Sequence, residues 1–220
     1  TTIAEAARGL PDAKVQALLK WIKRYMCPGL PELGAKTPAG PPVPWNDTRV
    51  IIFTEYDDTR RYLSQQLSAA IVFTDRAQER IAIYHGPTPL ADREEIKRAF
   101  NANPKKHPVR ILIATDAARE GFNLQTHCWN LFHLDVPWNP ARMEQRNGRI
   151  DRKLQPKDEV FCYYFMYHQR VEDRILKVLV EKTERIKKEL GSLAPVIEGR
   201  LADILKLGIA HKDVATLERS

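Results

Sequence analysis

Short apolar runs alternate with amphipathic stretches from Arg49 onward. Val50-Ile51-Ile52-Phe53 is wholly apolar and bounded by polar residues, which predicts a short buried strand. Ile81 to Tyr84, Val109 to Ala114, Asn130 to Leu134 and Val160 to Met166 predict four more. Between them, Leu63 and Leu67 fall on one face of a helix that Asp57 or Asp58 can cap. Ile96 and Phe100 stand one turn apart in a helix over Leu90 to Phe100. Uniformly apolar strands separated by helices predict an α/β fold whose parallel sheet is covered on both faces.

The flanks differ. Val15, Leu18, Leu19, Ile22 and Met26 share a helical face behind Asp12, a good amino-terminal cap. Cys27 to Trp45 then holds six prolines and three glycines without periodicity, and predicts a loop or linker between a docking helix and the domain proper. Val171 to Leu190 reads as a charged amphipathic helix stopped by Gly191. A second helix carries Leu201, Ile204 and Leu205. The expected divisions are a docking helix in 1–27, a linker in 28–46, the α/β lobe in 47–168 and a helical extension in 169–220.

Composition narrows the class. The 220 residues include 35 basic and 28 acidic side chains, for a net charge of +7. That excess favours a polyanionic partner without requiring one. Three scattered cysteines, Cys27, Cys128 and Cys162, fit buried thiols in a reducing cytoplasm. There is no run of about 18 apolar residues, so no membrane association is expected. The chain starts Thr1-Thr2-Ile3-Ala4, without Met or a leader pattern, and is expected to be cut from a longer one.

Candidate chemistry gathers where the strands end, which is where ligands collect on an open parallel sheet. Thr115 and Asp116 follow the third strand. Thr115 is placed to bond a nucleic-acid phosphate, or the pair simply opens a strand–helix connection with Asp116 as cap. Gly121 allows a close backbone approach to a ligand. Gln145-Arg146-Asn147-Gly148-Arg149-Ile150-Asp151-Arg152 sets Arg149 and Arg152 three apart, on one face of a helix or tight turn. Paired guanidiniums suit triphosphate oxygens; surface salt bridges to Asp151 or Glu144 are the plainer alternative. Thr54, His85 and Gly86 sit at strand ends suited to backbone phosphates. Asn139-Pro140 reads as a helix start, beside Trp138, which stacks on a base or packs inward. His127-Cys128 is too solitary for a metal site, and no metal is expected on this chain. There is no glycine-rich phosphate loop ending in Lys-Ser/Thr, and no acidic box behind an apolar strand.

Taken in order, these segments resemble the second RecA-like lobe of superfamily 2 helicases and translocases. The nearest likeness is the SWI/SNF-like group, with its bacterial RapA-type and phage-defence members. Phe53-Thr54-Glu55-Tyr56 is similar to motif IV and Tyr84-His85-Gly86 with Arg93 and Phe100 to the segment after it. Thr115 to Asn123 resembles motif V, Gln145 to Arg152 motif VI, and Asp135 to Pro140 the group's D-x-P-W-N-P signature. The resemblance implies a RecA-like three-layer αβα lobe with a mainly parallel sheet and a helical carboxyl-terminal extension.

It further implies that Arg149 and Arg152 act as arginine fingers. Gly121, Asn123, Gln145 and Arg146 would lie on the nucleotide side, Gln145 and Arg146 helping to couple the lobes, with Asn123 where many members carry Asp against the ribose. Thr54, His85 and Thr115 would face the nucleic-acid backbone. ATP and Mg²⁺ would be bound mainly by an amino-terminal RecA-like lobe absent from this sequence. Double-stranded DNA is the implied track, with further protein partners possible in a larger complex. A non-catalytic nucleic-acid-binding or protein-docking module is the competing expectation.

Overall fold

A computed structural model describes residues 11–32, 35, 40–116, 123–137 and 139–167, with isolated positions 173, 177, 178, 180 and 181 beyond them. The predicted helices past Val171 therefore fall largely outside the described residues, as do Gly121 and Trp138.

Five strands form one parallel sheet: β1 (Val50–Thr54), β2 (Ile81–Tyr84), β3 (Ile111–Thr115), β4 (Asn130–His133) and β5 (Phe161–Tyr164). Their order across the sheet is β2-β3-β1-β4-β5. Central β1 pairs Thr54 with Thr115 of β3, and Phe53 with His133 of β4, so the three strands end within one residue of one another. The helices are α1 (Ala13–Tyr25), α2 (Asp57–Ala70), α3 (Leu90–Asn101) and α4 (Pro140–Asn147).

The period-2 geometry of a strand sends alternate side chains to opposite faces. Val50 and Ile52 therefore join one apolar cluster with Leu18 and Ile22 of α1 and Leu63 and Leu67 of α2. Ile51 and Phe53 join a second with Phe100 of α3 and Ile150, just after α4. The result is a three-layer αβα lobe. Every residue of β1, β3 and β4 is buried, which explains their continuous rather than alternating apolarity. A fully buried Leu or Ile contributes about 1.5–3 kcal/mol.

The helix starts divide. Asp12 caps α1 as expected, accepting from the Lys14 and Val15 amides at 2.8 and 3.0 Å. Neither Asp57 nor Asp58 caps α2, whose cap position is Tyr56 with no side-chain bond. Both aspartates lie within the first turn, where Asp57 instead binds Arg60 and Arg61 at 2.7 and 2.9 Å. An acidic first turn suits the helix dipole without capping.

α1 is built into the first cluster, with Val15, Leu18 and Ile22 fully buried. The Pro/Gly-rich segment closes back on it. The Asn46 amide donates to the Met26 carbonyl at 2.9 Å, and Val43 bridges to Thr74.

The amino-terminal edge of the sheet is tied by arginines. Arg49, fully buried, donates to the Phe100 and Ala102 carbonyls that end α3 and to Val109. Arg80 and Arg110 likewise donate to loop carbonyls, including Pro108 and Pro104. Carbonyls left over at a helix end need donors, and a guanidinium supplies several in a fixed fork. The basic surplus is thus spent partly on structure.

Candidate functional site

The strands are parallel, so Thr54, Tyr84, Thr115, His133 and Tyr164 all end at one edge of the sheet. The chain leaves β1 toward β2 and leaves β4 toward β5, so the order reverses between β1 and β4. Such a reversal opens a crevice in α/β sheets. Here the protein fills it with its own charges.

Arg146 of α4 is at the centre and only 2% exposed. Its Nε and Nη2 donate to the two oxygens of Asp116 at 2.6 and 2.9 Å. Nη1 donates to the Asp135 carbonyl at 2.7 Å, and Nη2 approaches the Asp135 carboxylate at 3.3 Å. The guanidinium also lies over the Phe53 ring, 5.6 Å from its centroid. Asp135 accepts in turn from the Thr54 hydroxyl and from the Glu55 amide at 2.8 Å. Two carboxylates meet one arginine because the fork supplies enough donors for both.

His133 completes the knot. Asn147 Oδ1 is an acceptor, so the 2.8 Å contact requires the imidazole to carry its proton on Nε2. Nδ1 then accepts from Arg146 Nη1 at a looser 3.4 Å. The ring stacks on Tyr164, centroids 4.7 Å apart. Burial pushes the His133 pKa down to about 3, and the Arg146 charge pushes the same way, against the Asn147 bond and Asp116. The folded protein keeps this ring neutral where the unfolded chain takes up a proton near pH 6.5. Its contribution to stability is therefore complete above about pH 6.5 and is lost as pH falls toward 3. Between pH 7 and 5 the loss should reach about 2 kcal/mol, seen as falling denaturant midpoints. His133→Gln should flatten that slope; parallel slopes in parent and variant would refute the assignment.

The arginine pair follows α4 in a tight turn. The Gly148 amide donates to Glu144 O at 2.8 Å and Arg149 N to Arg146 O at 3.1 Å. A Cβ on Gly148 would stand 3.2 Å from the Glu144 carbonyl, so the glycine lets the turn close. Arg149 is half-buried and Arg152 exposed. Burial, then the adjacent Arg152 charge, holds the Arg149 guanidinium below arginine's usual pKa, while Tyr84 acts the other way. Arg93 lies over the Tyr84 ring at 5.5 Å and donates to Gly86 and Thr88 carbonyls. Two cations, Arg93 and Arg149, therefore act on Tyr84, and Arg152 lies beside Arg149. Like charges held this close gain from an anion brought between them.

The remaining predicted residues divide. Gln145 is exposed and lines a small recess with Thr115, Arg142 and Arg149. Asn123 is exposed and borders an open depression with Gly148 and Arg152. His85 is half-buried, its Nδ1 3.8 Å from Asp57 and without a hydrogen bond. Thr115 is 5% exposed. Thr54 departs from expectation: it is fully buried and its hydroxyl is spent on Asp135, so it offers no surface to a strand. Arg146 departs likewise, with its donors turned inward. Sequence reading missed His133 and Asn147 and undervalued Asp116 and Asp135. The one available signal was ionisable residues at the ends of otherwise apolar strands. Among the described residues no group of three or more His, Cys, Asp or Glu converges as a metal site, and no helix is long and apolar enough to cross a membrane.

Comparisons with known proteins agree with this fold. Residues 45–153 match the family described as helicase conserved C-terminal domain. An uncharacterised ATP-dependent helicase of Bacillus subtilis, YqhH, is 36% identical over 151 residues, covering 69% of this chain and 25% of that protein. The SNF2 domain-containing protein CLASSY 4 of Arabidopsis thaliana is 31% identical over 118 residues, 54% of this chain and 10% of that protein. The chain thus spans a quarter or less of these relatives. Among solved structures, the C-terminal part of the Fun30 ATPase domain superposes with a TM-score of 0.54 at 20% identity, over 88% of this chain and 53% of that one, a likeness of fold. With its parallel sheet and motif VI turn in place, this chain belongs to the superfamily 2 helicases, as a RecA-like C-terminal lobe of the SWI/SNF-like kind.

Proposed function

We propose that this chain is the C-terminal motor lobe of an ATP-dependent translocase on double-stranded DNA. It lends arginine fingers to a nucleotide held chiefly by an amino-terminal RecA-like lobe. The observation that carries the reading is a division of labour inside one turn of chain. Arg146 is bound to Asp116 and Asp135, while half-buried Arg149 and exposed Arg152 follow it on the turn after α4.

The residues present fit half of a triphosphate site. Arg149 and Arg152 would meet the γ-phosphate, with Gln145 and Asn123 at the rim; Mg²⁺ is assigned to the companion lobe. ATP, bound between the lobes, supplies the hydrolysable phosphoanhydride. What this chain contributes is charge placed in advance: guanidiniums fixed on a rigid turn cost no reorganisation when negative charge grows on the phosphoryl oxygens. His85, just after β2, and Thr115, the last residue of β3, are assigned to the nucleic-acid backbone, a contact that is salt-sensitive and reads little sequence. The likeness to a SNF2 domain-containing protein favours duplex DNA as the track. A relative named RNA polymerase-associated protein RapA, from Yersinia pestis, favours work within a larger complex.

The test is direct. The isolated chain should show no appreciable ATP turnover with or without DNA, and turnover should appear when it is joined to its amino-terminal lobe. Substantial hydrolysis by the pure chain would contradict the assignment.

A further inference from the structure

We infer that Asn147 is a positioning residue for ATP turnover: bonded to His133 on one strand and Tyr164 on the next, it fixes the turn that carries Arg149 and Arg152. The inference rests on the reading of those arginines as fingers.

Asn147 ends α4 and faces two ways. Its Oδ1 accepts a hydrogen bond from His133 Nε2 at 2.8 Å, and its Nδ2 donates to the Tyr164 hydroxyl at 3.3 Å. Its backbone carbonyl accepts from the Ile150 and Asp151 amides at 3.1 and 3.0 Å, bonds that shape the turn between the two arginines. The side chain is therefore tied to β4 and β5 while the main chain is tied to the finger turn. Ile150, fully buried, and a bond from the Leu124 amide to the Arg149 carbonyl at 3.2 Å hold the turn elsewhere. The Ile150 contact does not set its rotation about the end of α4, because an apolar contact is not directional, and the Leu124 bond acts two residues further on, at Arg149. The Asn147 side chain supplies directional bonds at that point, with an imidazole whose tautomer is fixed by Arg146 on its other side. A displacement of about 1 Å in a catalytic group can cost about 10²-fold in rate.

The experiment uses the full-length protein that contains this chain, with nucleic-acid-stimulated ATP turnover measured per folded molecule. Asn147→Leu keeps the size and removes both bonds. It should lower kcat about tenfold or more and leave KM for ATP within about twofold. Asn147→Asp keeps an acceptor for the imidazole and lets the Tyr164 hydroxyl donate instead, and it should restore at least half of kcat. A purely structural Asn147 would lower the folded fraction in both variants and leave kcat per folded molecule unchanged, which overturns the inference. Should Asn147→Leu not fold, His133→Asn takes its place: kcat within about twofold of the parent would overturn the inference equally. Arg149→Ala run alongside separates the two claims. If it retains turnover the finger reading fails; if it loses turnover while Asn147→Leu does not, only the positioning role fails.

Discussion

If Arg149 and Arg152 are fingers as proposed, Arg149→Ala or Arg152→Ala in the full-length protein should lower nucleic-acid-stimulated ATP turnover by about 10³–10⁵-fold, the range an arginine finger supplies. The fold should survive either change. Arg152 is exposed, with its Nε bonded to the Gly148 carbonyl of its own turn at 2.7 Å. Arg149 is half-buried beside a like charge, so its removal relieves repulsion as well as losing packing. Thermal midpoints should therefore move by a few degrees while turnover collapses. Arg149→Lys should recover only part of the rate, since a single ammonium cannot reproduce a planar fork. Steady-state turnover with circular-dichroism melts on the same preparations decides the matter. Near-normal turnover in both alanine variants removes the pair from this role.

Arg146→Met should produce the opposite signature, with the main loss in stability. The change leaves Asp116 and Asp135 without their shared guanidinium at a site where Asp116 is 6% exposed. Removing one partner of a buried ion pair costs about 3–5 kcal/mol, because the other charge stays behind unpaired. Met retains most of the stem volume, so the cost reports the lost charge and donors rather than a cavity. Denaturant unfolding of the isolated chain measures it, and a change under about 0.5 kcal/mol would show that the cluster contributes little. Asp116→Asn in the same background should recover part of the loss by removing a stranded carboxylate. Two arginines three residues apart thus differ in kind, Arg146 buried against two carboxylates and Arg149 half-buried on the turn that follows.

That difference was invisible in the motif. Gln145 to Arg152 presents three arginines, and nothing in their spacing says which guanidinium is already spent. Only the approach of Asp116 and Asp135, each from a different strand end, settles it. Thr54 shows the same limit. A threonine at a strand end reads as a phosphate contact, but the register of β1 against β4 brings Asp135 to its hydroxyl. The missed cap of α2 is a local failure: Asp57 has the right chemistry one position too late, where arginines claim it.

The chain by itself determined its elements and their order, because an apolar run bounded by polar residues can bury both faces only in a covered parallel sheet. It also placed the strand ends at the site, since parallel strands put every strand end on one edge, but it did not single out His133 or Asn147. Tertiary structure alone decided how those residues divide their work. Hydrogen-bond partners such as Arg146 and Asp116, or His133 and Asn147, lie 30 and 14 positions apart in sequence, and their pairing depends on sheet order and register, which no local pattern encodes.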